Sequence, residues 1–228
     1  MYQCNSNIPA DLAHFKQMNQ RASEIPPERR GANHDLSKIA SNYRNYQDKS
    51  PDSTYWRKHC NTELYGPLLS HLKNKPVNLL EIGVRWGGSI LMWQDFFIHP
   101  NSIIHGADID FSNINKDISN EINSSQKIKL YEGNAYTQDF VCKNFGDSCF
   151  DIILDDGSHT EGDQIKFFNL YINLLNDGGY LMAEDFHSLE QARNVIDKCD
   201  LNINNMSIIL RNHCIPSGKG EMTVLYKA

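Results

Sequence analysis

The chain has 228 residues, more than one domain of ~150 residues and too few for two, so one α/β or all-β domain with an extension is expected. A composition that is 40% hydrophobic and 22% charged excludes a disordered or fibrous chain. The 22 Lys and Arg against 28 Asp and Glu give a formal charge of −6, and with no dense basic run, nucleic acid is not an expected partner. No stretch approaches the ~20 apolar residues of a membrane-spanning helix, so no membrane partner is expected either. The start MYQCNSNIPADLAH carries neither a basic region nor an apolar core, and a cytoplasmic location follows as the expectation. Cysteines 4, 60, 142, 149, 199 and 214 form no CxxC pair and read as reduced thiols.

The first 70 or so residues are polar, broken by Pro26-Pro27 and a loop-like segment from Asp48 to Ser53. Short helices are expected there at 9–23 and 34–46. This stretch, residues 1–70, is predicted to be a helical extension or substrate lid beside a main domain at 71–228. Its aromatics, Tyr43, Tyr46, Tyr55, Trp56 and Tyr65, either cover the site or join subunits, and a homo-oligomer is expected.

From Val77 short apolar runs alternate with amphipathic stretches, the pattern of βαβ units. Strands are predicted at 77–82, 103–108, 127–132, 150–155, 178–183, 206–211 and 221–227, with helices at 87–98, 112–123, 136–144, 161–174 and 188–198. The last two strands are joined through Pro216-Ser217-Gly218 with no room for a crossover helix, so they should pair antiparallel. The predicted fold is an α/β, doubly wound, mostly parallel seven-stranded sheet with an antiparallel C-terminal hairpin.

The first strand runs into Glu81-Ile82-Gly83-Val84-Arg85-Trp86-Gly87-Gly88-Ser89. Glycines here let a ligand approach the backbone while helix N–H groups point outward. The spacing is not GxGxxG. Glu81 would repel a pyrophosphate but suits a cationic ligand such as S-adenosylmethionine; tight packing is the plain alternative. Gly83, Gly87, Ser89 and Glu81 are the expected cofactor contacts in this segment. Asp108, ending the second strand, stands where open α/β sheets place an acceptor for ribose hydroxyls. Asn134, after the third strand, could reach an adenine edge, though Gly133-Asn134 also reads as a turn.

The fourth strand ends in Asp155-Asp156-Gly157-Ser158-His159 and the fifth in Glu184-Asp185-Phe186-His187. Adjacent parallel strands would bring Asp156, Glu184 and Asp185 to one edge. Three close carboxylates stay ionised most readily around a divalent cation, and oxygen ligands select a hard ion, Mg2+ first and Mn2+ or Ca2+ next. His159 is placed to act as general base, with His187 as a competitor. The plain alternatives are a helix cap and acids paired with Lys or Arg.

The runs EIGVRWGGSILMW, GADID, FDIILDDGSHT and GGYLMAEDFH resemble the class I S-adenosylmethionine-dependent methyltransferases. More narrowly, they are similar to the macrocin and mycinamicin-type sugar O-methyltransferase family, over about residues 60–187. In that family a DDGSH segment and an ED pair 29 positions after its second Asp supply a magnesium site and a base. The resemblance implies Asp156, Glu184 and Asp185 as metal ligands, His159 as catalytic base, and Glu81, Gly83 and Asp108 at S-adenosylmethionine, with Asp155 near its methionine part. Gly133-Asn134-Ala135 departs from the family's acidic pair at that place.

The expected activity is methyl transfer from S-adenosylmethionine to a hydroxyl of a sugar or glycoside with vicinal hydroxyls, the substrate oriented by Mg2+. Three rivals stand beside it. A catechol-like diol methyltransferase would favour an acid-acid-asparagine set. A cephalosporin-hydroxylase-like oxygenase would want two histidines and one carboxylate around iron. A cofactor-binding module without turnover would need no metal.

Overall fold

In the computed structural model, which describes residues 35–47, 49, 61–210 and 222–228, the apolar runs after residue 77 become β1 (Asn78–Ile82), β2 (Ile103–Asp108), β3 (Ile128–Glu132), β4 (Phe150–Asp155), β5 (Leu175–Phe186), β6 (Met206–Leu210) and β7 (Met222–Lys227). They form one sheet in the order β3-β2-β1-β4-β5-β7-β6. The pairs β3-β2, β2-β1, β1-β4 and β4-β5 are parallel. The pairs β5-β7 and β7-β6 are antiparallel, so the predicted doubly wound sheet and end hairpin are both present. The expected helix at 9–23, Pro26-Pro27, Tyr55, Trp56 and the 216–218 turn lie outside the described residues, as does all of the 48–53 segment except residue 49.

The helices are α1 (Asp35–Asn42), α2 (Asn61–Leu69), α3 (Gly88–Phe96), α4 (Lys116–Ser124), α5 (Gln138–Phe145), α6 (Glu161–Tyr171) and α7 (Leu189–Lys198). Four starts are fixed by side-chain oxygens accepting an amide that would otherwise lack a partner: Asn115 from Asp117, Thr137 from Phe140, Thr160 from Asp163 and Ser188 from Gln191. Helix α2 is not predicted from sequence because Gly66-Pro67 lies within it. Burial of Tyr65 and Leu69 holds this helix in place of propensity.

Strand alternation divides the interior. Leu79, Ile152, Leu154, Tyr180 and Met182 point to the face packed by α1 to α4. Leu80, Ile82, Ile153, Leu181 and Ala183 point to the face packed by α5, α6 and α7. Because successive strand residues face opposite ways, Glu81 falls on the first face with Leu79, and Asp155 on the second with Ile153. Asp156 continues the β4 pairing through its N–H to the Ile82 carbonyl at 2.8 Å.

β5 is longer than the predicted 178–183 at both ends. Between Ala183 and Phe186 its pairing with β7 shifts, residues 183 and 186 facing 224 and 222, so one extra residue is accommodated. Such a bulge re-aims side chains. It falls on Glu184-Asp185, and Asp185 takes a φ of 59°. Among the described residues no helix is long and apolar enough to cross a membrane, and Cys142, Cys149 and Cys199 carry free thiols.

Candidate active site

At the carboxyl edge of β4 and β5, Asp156, His159 and Asp185 each offer a ligand atom, and these atoms lie within 4.8 Å of one another. His159 Nε2 is 3.9 Å from Asp156 Oδ1 and 3.9 Å from Asp185 Oδ2. His159 also holds a positive φ, 54°. A non-glycine residue in that region carries strain that the surroundings must hold, and two of the three described residues of this kind, His159 and Asp185, meet here, the third being Arg85 in the β1–α3 turn. His187 is exposed and outside this cluster. Two carboxylates with one imidazole depart from the two-histidine, one-carboxylate pattern of non-heme iron.

Two glutamines brace the strained turns. Gln164, fully buried on α6, donates to the Glu184 carbonyl at 3.1 Å. Gln191 on α7 donates to Gln164 Oε1 at 2.9 Å and to the His159 carbonyl at 3.3 Å. Neither glutamine is marked as a site residue by the sequence. A Ser-x-x-Gln signal at 188–191 marks only a helix start.

Glu184 occupies an inner compartment. Its carboxylate accepts from Lys49 Nζ at 3.0 and 3.1 Å, from the Tyr65 hydroxyl at 2.5 Å and from Asn61 Nδ2. Lys49 Nζ also donates to Asp156 Oδ2 at 2.6 Å and lies 3.4 Å from Glu81 Oε1. Asp156 and Glu184 therefore do converge on one positive charge, and in the structure that charge is the lysine ammonium. Lys49 and Asn61 carry no sequence signal for this site, and Tyr65, expected either to cover the site or to join subunits, is not marked as a partner of Glu184. Burial alone would lower the Lys49 pKa, but Asp156, Glu184 and Glu81 outweigh it and hold the ammonium well above the usual lysine range. Burial pushes Glu81 up to about 8, against the pull of Lys49.

Asp155, on the opposite face, is pushed up to about 7 by burial, while hydrogen bonds and His159 draw it down. Its Oδ1 accepts the Tyr136 hydroxyl at 2.6 Å and the Gly157 amide at 3.2 Å. The Tyr136 oxygen in turn accepts from the Ser158 amide at 3.0 Å, so the 155–159 turn is built around one tyrosine.

The expected cofactor segment is tightly packed. A Cβ on Gly83 (φ +90°) would stand 2.1 Å from the Asp156 carbonyl oxygen, and one on Gly87 (φ +89°) 2.6 Å from Ile122. The Gly88 amide donates to the Tyr46 carbonyl at 3.1 Å, so this first amide of α3 is bonded within the protein and does not point outward, contrary to the expectation from sequence. Ser89 is buried at 6% exposure. Asp108 Oδ2 accepts the Val84 and Arg85 amides at 2.7 and 2.9 Å, tying the β1–α3 turn to the end of β2. Asn134 Oδ1 accepts the Tyr136 amide at 3.0 Å. Its oxygen thus completes a turn, the plain alternative for this residue.

The profile of the rhamnosyl O-methyltransferase/CmcI family matches residues 63–202. The chain belongs to this family. It is 31% identical over 161 residues to mycinamicin VI 2''-O-methyltransferase of Micromonospora griseorubida, covering 66% of this chain and 36% of that one. It is also 31% identical over 137 residues to 8-demethyl-8-(2-methoxy-alpha-L-rhamnosyl)-tetracenomycin-C 3'-O-methyltransferase of Streptomyces olivaceus, covering 56% and 32%. The chain thus spans about a third of the length of these curated relatives. Among solved structures, MycE methyltransferase from the mycinamycin biosynthetic pathway, in complex with Mg and SAH, superposes with a TM-score of 0.52 at 29% identity over 66% of this chain and 37% of that one. The O-methyltransferase TomG of Streptomyces achromogenes, at 16% identity and a TM-score of 0.55, covers 95% of this chain and 98% of its own, a likeness of fold.

Proposed function

We propose that this protein is an S-adenosylmethionine-dependent O-methyltransferase acting on a hydroxyl of a sugar or glycosylated small molecule, with a divalent cation, Mg2+ before Mn2+, at Asp156 and Asp185. The convergence of Asp156, His159 and Asp185 within 4.8 Å carries this reading. Two carboxylate oxygens beside a histidine suit a hard cation and a proton acceptor at one place. The family relatives named for sugar O-methylation support it.

The methyl donor fits on the same edge. Asp108 suits ribose hydroxyls, and Ile109, 67% exposed directly after it, offers an apolar surface to a flat ring. When bound, donor and cation supply an electrophilic methyl group and an acceptor hydroxyl of lowered pKa. This chain's residues do the remainder. His159 Nε2 takes the hydroxyl proton. Gln191 and Gln164 keep that imidazole and the Glu184 turn in register, and the buried layer of α1 and α2 walls the inner side. Fixing the reacting groups at near-attack distance accounts for much of the rate.

The test is calorimetric titration with S-adenosylhomocysteine, with and without Mg2+, followed by a methyl-transfer screen over glycosides and nucleotide sugars. Binding and chelator-sensitive methylation of a sugar hydroxyl are expected. Methylation of a catechol but no glycoside, or turnover untouched by chelator, overturns the substrate or the cation respectively.

A further inference from the structure

Lys49 is the one described cation inside the acidic cluster, with its side chain 1% exposed. Its position is built in. The Lys49 carbonyl accepts the Thr62 amide at 3.1 Å, and three residues earlier the Tyr46 carbonyl accepts the Gly88 amide at 3.1 Å. A Cβ on Gly88 would approach that Tyr46 oxygen to 2.3 Å, so only glycine lets the segment seat this closely. From there the ammonium reaches Asp156 Oδ2 at 2.6 Å and both oxygens of Glu184. Asp156 therefore has one oxygen on the lysine, while the other, Oδ1, faces His159.

We propose that Lys49 is a built-in counter-cation that competes with the divalent ion for Asp156 and Glu184, and so sets how tightly that ion is held. The inference rests on the cation site proposed above. The ammonium engages both oxygens of Glu184 and one of Asp156, on the side away from the Asp156–His159–Asp185 cluster where the divalent ion is proposed to sit. Without it, Glu81, Asp156 and Glu184 lose this positive neighbour, and Glu184, still held by Asn61 and Tyr65, turns more of its negative charge toward the ion. Lys49 acts through Asp156 and Glu184 and is a positioning residue. A second cation a few ångströms away is repelled even where the effective dielectric is high.

Mn2+ binding to the full chain, followed by electron paramagnetic resonance at fixed pH and ionic strength, tests this alongside thermal melting with and without Mg2+. Lys49→Met, matched in length and uncharged, is expected to bind Mn2+ about tenfold tighter or more and to gain a larger Mg2+-induced rise in Tm than the wild type. Adding Glu184→Gln to Lys49→Met should abolish the gain. A folded Lys49→Met protein with unchanged or weaker Mn2+ affinity overturns the proposal. If that variant is unfolded without metal, recovery of its melting transition on adding Mg2+ supports the exchange of cations, and no recovery overturns it. Failure of the underlying site looks different: neither protein binds Mn2+, or Asp185→Asn leaves wild-type binding unchanged.

Discussion

Gln164 and Gln191 meet side chain to side chain at 2.9 Å, and between them they hold the backbone carbonyls on both sides of the proposed reaction centre, Glu184 and His159. Gln164→Leu keeps the volume but removes the donor to Glu184 and the acceptor for Gln191. Leaving buried polar groups without partners costs about 1–3 kcal/mol, so urea unfolding should show a loss of that size. Methyl transfer should fall with it, because Asp185 follows the released carbonyl. A stability change within about 0.5 kcal/mol, the range of an unremarkable surface substitution, would show that the glutamine pair braces nothing.

His159→Ala should reduce methyl transfer by about 10²- to 10⁴-fold, the usual contribution of a positioned acid or base, while S-adenosylhomocysteine affinity stays within about twofold of the wild type. The separation is expected because the imidazole lies with Asp156 and Asp185 at the ends of β4 and β5, whereas Asp108, the residue proposed for the donor's ribose, ends β2 and is tied to the Val84 and Arg85 amides. Kinetics and calorimetry on the same preparation check it. Parallel loss of rate and donor affinity would move His159 from proton transfer to donor binding.

The strands and the meeting of Asp156, His159 and Asp185 in the candidate site are readable because their signals are local. β2 and β4 begin and end where their apolar runs do, and Asp156, His159 and Asp185 stand at strand ends whose register the βαβ order dictates. The inner compartment around Glu184 is not. Lys49 meets Asp156 across 107 positions and Glu184 across 135, and Asn61 and Tyr65 reach Glu184 across 123 and 119. No spacing rule spans such distances, and α2, which carries two of these residues, contains Gly66 and Pro67, both of which read as breakers. That Asn134 also completes a turn and the glycines also pack closely is not settled by the sequence for a related reason: a loop residue reads alike whether it serves the backbone, a ligand or both.

Two glycines give opposite predictions. At Gly83 the φ of +90°, together with an Asp156 carbonyl oxygen 2.1 Å from where an alanine methyl would sit, leaves no room for a side chain. Gly83→Ala should cost at least about 2 kcal/mol and weaken Mn2+ binding, since the displaced carbonyl belongs to Asp156. Gly162, in the first turn of α6, has nothing within 4 Å of the corresponding point. There alanine relieves the helix penalty of glycine, and a gain of about 0.5–1 kcal/mol is expected. Denaturant unfolding of both variants checks the contrast; equal effects would remove the distinction.

His105 on β2 titrates against the fold. Its ring is stacked on Tyr131 with centroids 5.6 Å apart, and Phe150 meets its edge. Burial, and then Lys129, lower its pKa from 6.5 to about 4. In the unfolded chain the imidazole takes a proton near ~6.5, while the folded state resists until about pH 4. Between those values the unfolded state binds more protons, so stability falls as pH drops through the window, by about 2 kcal/mol at pH 5. Other groups titrate there too, and Asp155, raised to about 7, contributes with the opposite slope. The decisive quantity is therefore a difference. His105→Phe keeps a flat ring without the proton, so its unfolding free energy relative to the wild type should improve steadily from pH 7 to pH 5. Parallel curves over that range would mean that the imidazole binds its proton equally well in the folded and unfolded states, and a wild type that gains on the variant toward pH 5 would mean that the native protein favours the protonated ring.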